Sequence, residues 1–332
     1  MRAQLQQLYT RCFDDSEAFV DYYFQQRYTD DRTQYILRDS QPIAALQTLS
    51  YPMLFGGRLC ATAYLSAVCT HPDYRHQGLM HNLLVQTHQA LAARGVAAAW
   101  LIPAKPWLYD VYAKQQYATV FYQATELVSV EQLELTTNCR VELLKPEWIV
   151  KVFDFFNDQL LKKPYAILHT EEDFNVVLGA LQLEHGSVLV AFTAEHISGV
   201  ALVTSEGKIL ELLANSATER AALLREVGAR YGLEVVTCLV EAVGAAKKPF
   251  GMLRVISAEK LLKLYAAAHF DCHMTIHLRD EELPENNGCY TLSQGVCAKS
   301  EVTQETAIWT IQQLSAFLFE NTTPHVSLML DD

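Results

Sequence analysis

The sequence predicts an α/β (α+β) protein of mixed, mostly antiparallel central sheets flanked by helices, divided into more than one domain. Three observations carry this reading. At 332 residues the chain exceeds one ordinary domain. Half of its residues are apolar, and only 14 are Gly and 10 Pro, so it has material for sizeable cores and little for long disorder. A meander of strand-like runs is followed by helix-period and strand-like runs, and that order recurs in the second half.

The first 27 residues carry two short helical patterns, the second with Asp14, Asp15 and Ser16 available as caps. Gln34 to Arg38, Ile43 to Leu54 and Arg58 to Thr70 read as strands, separated by the turn sequences Asp39-Ser40-Gln41-Pro42 and Phe55-Gly56-Gly57. From Gly78 to Gly95, Leu79, Met80, Leu83, Leu84, Ala90 and Leu91 follow a helical period that ends in a glycine cap. Val96 to Ile102 reads as a buried strand, Trp107 to Gln115 as a short helix, and Tyr117 to Ser129 as one or two strands. After a polar linker around Thr136, helices at 146–161 and 171–181 precede strands at 187–192, 197–204 and 209–214, then a helix over 217–231. A third piece holds a strand at 251–256, a helix at 258–268, a hairpin over 274–292 turning at Asn286-Asn287-Gly288, and a helix at 304–319. The expected domains are 1–135, 140–248 and 249–332.

Composition narrows the function classes. The formal net charge of -12 opposes a phosphate backbone, which disfavours nucleic-acid binding and suits cationic substrates better. Met1 to Phe13 lacks the apolar core of a signal peptide, and no stretch approaches the ~18 apolar residues of a membrane span, so a cytoplasmic location and no membrane partner are expected. The eight cysteines form no CxxC pair and read as buried free thiols. His71, His76, His81 and His88 have no carboxylate or Cys at ligand spacing, so they read as solvated surface histidines, and no metal is expected.

The chemistry concentrates in Leu65-Ser-Ala-Val-Cys-Thr-His-Pro-Asp-Tyr-Arg75-His-Gln-Gly78-Leu-Met80, a strand stopped by Pro72 that turns into a helix. Amides of His76, Gln77, Gly78, Leu79 and Met80 then fall at a helix N-terminus, where free N–H groups and the macrodipole favour a pyrophosphate. This run resembles motif A of the GCN5-related N-acetyltransferase (GNAT) superfamily, with Arg75, Gly78 and Met80 at its fixed positions. Met80 departs from the small residue usual there. The resemblance implies that acetyl-CoA is the co-substrate, its pantetheine arm pairing with the backbone of Val68, Cys69 and Thr70. It also implies that Tyr112, in Tyr112-Ala-Lys-Gln-Gln-Tyr117, protonates the departing thiolate, with Tyr109 the competitor one turn earlier. Gln115-Gln116 stand where the family commonly shows Phe-Gly.

Over nearly its whole length the chain resembles the enhanced intracellular survival (Eis) branch: tandem GNAT folds, the second degenerate, and a sterol-carrier-protein-like C-terminal domain. That branch places the terminal carboxylate, here Asp332, in the active site; read alone, Asp331-Asp332 is equally an acidic tail. The branch often forms larger oligomers. The expected reaction is direct acetyl transfer from acetyl-CoA to a small-molecule or peptide amine, without an acyl-enzyme. Transfer of longer acyl chains, and a non-catalytic acyl-CoA or lipid sensor, are the alternatives.

Overall fold

The computed structural model describes residues 1–133, 138–241, 247–300 and 307–330. In chain order, α1 (Arg2–Cys12) and α2 (Glu17–Gln26) precede β1 (Thr33–Arg38), β2 (Gln41–Phe55) and β3 (Arg58–Thr70). Next come α3 (Leu79–Ala93), β4 (Ala98–Leu101), α4 (Leu108–Ala113), β5 (Ala118–Ser129) and β6 (Arg140–Leu143). Then follow α5 (Ile149–Leu161), β7 (Tyr165–Ile167), α6 (Glu171–Leu183), β8 (Ser187–Thr193), β9 (His196–Val203) and β10 (Ile209–Ala214). The chain continues through α7 (Ala217–Tyr231), β11 (Val235–Glu241), β12 (Lys248–Val255), α8 (Ala258–Ala268), β13 (Met274–Arg279) and β14 (Gly288–Ser293). It closes with β15 (Val296–Ser300), β16 (Ile308–Thr310) and α9 (Ile311–Leu318). Two compact units result: residues 1–121 with 250–324, and residues 122–249 with 325–330.

In the first unit the strand order is β1-β2-β3-β4-β12, followed by the start of β5. The meander β1 to β3 is antiparallel, β4 lies parallel to β3, and β12 is antiparallel to β4. Thus the strand that opens the third sequence segment belongs to the same sheet as the meander. The sheet is centred on Trp100, fully buried among the rings of Tyr51, Tyr64 and Phe121. Its indole N–H donates to Thr62 Oγ1 at 3.1 Å, which satisfies the one polar atom that such burial would strand. Helix α3 packs Leu83, Leu84 and Leu91 inward, and α2 begins as the sequence indicates, with the Ser16 side chain accepting from Phe19 N.

Against the sequence expectation, His88 is not a surface histidine but fully buried on α3. Its Nδ1 lies 2.7 Å from Glu282 Oε2 and its Nε2 2.8 Å from the Tyr117 hydroxyl. A carboxylate only accepts, so Nδ1 donates to Glu282 and Nε2 accepts from Tyr117. Burial holds the imidazole down at about 4, which keeps it in this neutral tautomer at pH 7. Glu282 also meets Arg254 at 3.2 Å, and Arg254 meets Asp280 at 2.9 Å with both side chains buried. A helical period alone could not distinguish a buried polar partner from a solvated one.

Two further expectations change in detail. The 274–292 hairpin does not turn at Asn286-Asn287-Gly288; β13 and β14 are joined by residues 280–287. Asp280 organises this longer connection by accepting from the amides of Glu282 and Leu283, while Asp280 N donates to Asn287 Oδ1. The final helix begins at Ile311, and Ile308–Thr310 instead pair with β13. Reciprocal bonds between Thr310 and Gln313 cap α9 and fix its start. Gln304 to Thr306 lie outside the described residues.

The second unit orders its strands β11-β10-β9-β8-β6, with the end of β5 antiparallel to β11. Amphipathic α5 buries Val152, Phe156 and Leu160 at four-residue spacing, and α7 buries Leu223, Leu224 and Val227. Residues 325–330 belong here: His325 exchanges backbone bonds with Tyr165 and Ile167, and its Nε2 lies 2.9 Å from Glu211 Oε2. Among the described residues no helix is long and apolar enough to cross a membrane.

Replacing Arg254 with Met leaves the Asp280 and Glu282 carboxylates without their cation. Urea unfolding of Arg254→Met is expected to show a loss of about 3–5 kcal/mol; an unchanged midpoint would mean that the network is not holding the fold.

Candidate active site

Strand β3 parts from β4. Their parallel ladder holds only at Thr62–Ala98, Ala63–Ala99 and Tyr64–Trp100, after which β3 runs on to Thr70 while β4 ends at Leu101. On its other edge β3 stays paired with β2 as far as Thr70. A bulge interrupts that pairing: Ser66 faces Gln47 and Cys69 faces Ala45, so Ala67 and Val68 stand against one residue of β2. Ala67 takes φ 54°, in the left-handed region. No glycine or proline announces this bulge, so the sequence gives no sign of it. The edge from Leu65 to Thr70, which includes the expected Val68, Cys69 and Thr70, is therefore open toward β4.

Past Pro72, the chain turns through His76 at φ 62° and Gly78 at φ 75° into α3. The first helical bond runs from Asn82 N to Gly78 O, and no side chain caps the helix. Among the described residues the amides of His76, Gln77, Gly78, Leu79 and Met80 have no protein acceptor. A Cβ at Gly78 would meet no atom within 4 Å, so the glycine is required here by its left-handed φ and not by crowding. Five outward donors beside a helix N-terminus suit a diphosphate. Met80 does not obstruct them, because its side chain packs into the core with Leu79. Exposed Arg75 donates from Nε to Thr70 O at 3.2 Å, tying the turn to the end of β3.

Tyr112 is buried on α4 in the cluster that contains Leu65, Leu83 and Tyr117, with Val68 packed against it. Burial, with the Cys69 thiol nearby, pushes its phenol well above the ordinary value. Its hydroxyl makes no hydrogen bond among the described residues, whereas Tyr109 donates to Phe250 O at 2.9 Å. The turn after α4 survives the loss of glycine: Gln116 adopts φ 66°, and Tyr117 N bonds Tyr112 O at 3.1 Å. Gln312 Nε2 supports the turn by donating to Tyr117 O. Asp332 lies outside the described residues, and among those described no group of three His, Cys, Asp or Glu is placed to hold a metal.

The second unit repeats the arrangement with a different helix start. Its β10 and β11 are parallel at a single pair, Ile209–Cys238, with α7 between them in sequence. The N-terminus of α7 is closed by its own side chains, since Ser216 Oγ accepts from Thr218 N and donates to the Glu219 carboxylate. The Glu219 carboxylate in the first turn thus adds negative charge at this helix start.

Residues 2–119 match the family model described as an acetyltransferase (GNAT) domain. No curated protein matches the chain. Among solved structures, a GCN5-related N-acetyltransferase from Anabaena variabilis superposes with TM-score 0.78 at 16% identity, covering 95% of this chain and 86% of that one. A probable N-acyltransferase from Enterococcus faecalis gives 0.78 at 17%, covering 96% and 87%. Eis1 from Mycobacterium abscessus gives 0.72 at 13%, covering 96% and 87%. At these identities the structures establish a shared fold, and the domain match over 2–119 identifies the chain as an acyltransferase.

A side chain at Gly78 must adopt a left-handed φ, which a β-branched residue resists, so the turn that presents the free amides would shift. Gly78→Val is expected to weaken CoA binding at least ~tenfold, equivalent to about 1.4 kcal/mol, beyond any loss of stability. Calorimetric titration with CoA checks this, and unchanged affinity in a folded variant would separate these amides from the phosphates.

Proposed function

We propose that this acyltransferase moves acetyl directly from acetyl-CoA to a primary amine within one ternary complex, with Tyr112 as general acid. The observation that carries the reading is the unpartnered Tyr112 hydroxyl, beside the strand edge that leads to the free amides of His76 to Met80. Acetyl-CoA supplies an activated acyl carbon with a thiolate leaving group. The amides of His76 to Met80 and the backbone of Val68, Cys69 and Thr70 would hold it, the last three as an added strand. A backbone N–H near Val68 polarises the thioester carbonyl, a role that fixed donors in a water-poor site perform at little reorganisation cost.

Burial affects Tyr112 in two ways. It raises the phenol's pKa, which makes it a weaker acid, but it penalises a thiolate in the same pocket similarly, so proton transfer stays balanced. Tyr109 is less suited because its hydroxyl is already engaged. The acceptor must attack as the neutral amine, and the chain's net negative charge favours a small molecule or peptide that is cationic in solution. The terminal carboxylate of Asp332 completes the proposal as base or substrate anchor. The closed α7 N-terminus supports a single donor site, with 140–248 a degenerate second GNAT-like domain.

The test is thiol release from acetyl-CoA and longer acyl-CoAs over a panel of amines, comparing the full chain, Tyr112→Phe and a chain lacking Asp331 and Asp332. Turnover with acetyl-CoA should fall at least ~tenfold in Tyr112→Phe, about 1.4 kcal/mol of barrier, while CoA affinity is retained. Preference for a longer acyl chain would overturn the donor assignment. CoA binding without turnover on any amine would make the protein a sensor.

A further inference from the structure

We propose that Cys12 and Cys69 are a redox-active thiol pair, a modification site at which a hydroperoxide oxidant produces an intramolecular disulfide. Cys12 is the last residue of α1, and its Sγ lies 3.5 Å from Thr70 O, the residue next to Cys69 on β3. Buried Cys69 lines a small cavity with Leu5 and Tyr9 of α1, so both thiols lie where α1 packs on the end of β3. Their exposures differ usefully: Cys12 is half-buried and open to a small oxidant, whereas Cys69 is buried and shielded from it.

Two guanidinium groups are fixed around Cys12. Arg75 Nε is held on the same Thr70 carbonyl at 3.2 Å, and Arg11 Nη1 lies 2.8 Å from His71 Nε2. They oppose the negative end of the α1 dipole, which by itself would disfavour a thiolate at this position. Hydrogen bonding from Cys69, then Arg75 and Arg11, lowers the Cys12 thiol to about 7 despite partial burial. Burial raises Cys60 and Cys238 to about 12 and shifts Cys139, Cys272 and Cys297 upward. Cys12 is thus the thiol set apart for attack, and Cys69 the thiol placed to resolve.

In the first step the Cys12 thiolate attacks one peroxide oxygen and the O–O bond breaks. This yields Cys12 sulfenic acid and either hydroxide or, from an organic hydroperoxide, alkoxide, which takes a proton to become water or alcohol respectively. In the second step Cys69 sulfur displaces the sulfenic hydroxyl, forming the S–S bond and releasing water with the Cys69 proton. Two thiols are oxidised and one peroxide reduced. The product tethers the end of α1 to β3, the strand proposed to carry the acyl donor, yet detecting it requires no enzymatic activity.

The full chain is treated with hydrogen peroxide and digested with trypsin without reduction. Peptide 12–27 should appear joined to peptide 59–75, lighter than their sum by two hydrogens. Peptide 59–75 also contains Cys60, so fragment ions must place the link at Cys69. Cys12→Ser should abolish the link, and Cys69→Ser should leave a dimedone-reactive sulfenic acid at Cys12. Without any variant, iodoacetamide should label Cys12 ~tenfold faster than the raised thiols at pH 7, with a midpoint at a pH of about 7. A link at Cys60, over-oxidation of Cys12 without a link, or labelling of Cys12 at the rate of the other cysteines would overturn the proposal.

Discussion

Beyond Tyr64, strand β3 has a partner on only one side. A strand edge with open N–H and C=O groups is costly inside a packed domain, and folded proteins normally cover it. Here the open edge is maintained by its surroundings. Strand β4 stops at Leu101, α4 packs Leu108 and Tyr112 into the same cluster as Leu65, and the Ala67 bulge bends the edge locally. The same strand then feeds the turn that leaves five amides free at the start of α3. The proposed donor site, acid and thiol pair all depend on this one interrupted ladder.

Holding that geometry requires backbone conformations that side chains resist. Ala67, His76 and Gln116 all have positive φ without being glycine, at a cost on the order of 1–3 kcal/mol each. The remainder of the unit supplies the opposing stability. Residues 250–324 contribute β12 to the sheet, Gln312 to the turn before Tyr117, and the Glu282, Arg254 and Asp280 charges that bury His88. The C-terminal segment is therefore part of the scaffold around Tyr112, one ring away through Tyr117.

The second unit shows what separates an open helix start from a filled one. It repeats the meander, helix and parallel strand, but Ser216 caps the Thr218 amide at the start of α7 and donates to the Glu219 carboxylate there. Two local residues give α7 a side-chain cap and a first-turn carboxylate that α3 lacks, with the surrounding elements in the same order.

Much of this was legible from the residues alone. Period and punctuation placed α1 to α3 and the β1 to β3 meander within a few residues, because each is dictated by local spacing, a cap or a turn. The strand, Pro72, Arg75, Gly78 and helix run marked the amide cradle for the same reason: its geometry depends on residues adjacent in sequence. What depended on distant partners was not legible. His88 reads as a surface residue until Glu282 and Tyr117 close around it, and helix 304–319 shortens once β16 pairs with β13. The Ala67 bulge, the engagement of the Tyr109 hydroxyl by the Phe250 carbonyl, and the placement of Cys12 against the end of β3 rest on contacts across tens of residues or more. Sequence by itself determined the local conformations and the chemistry available to them; the tertiary structure decided which side chains are buried, satisfied or left free, because burial and partnership are properties of the packed chain.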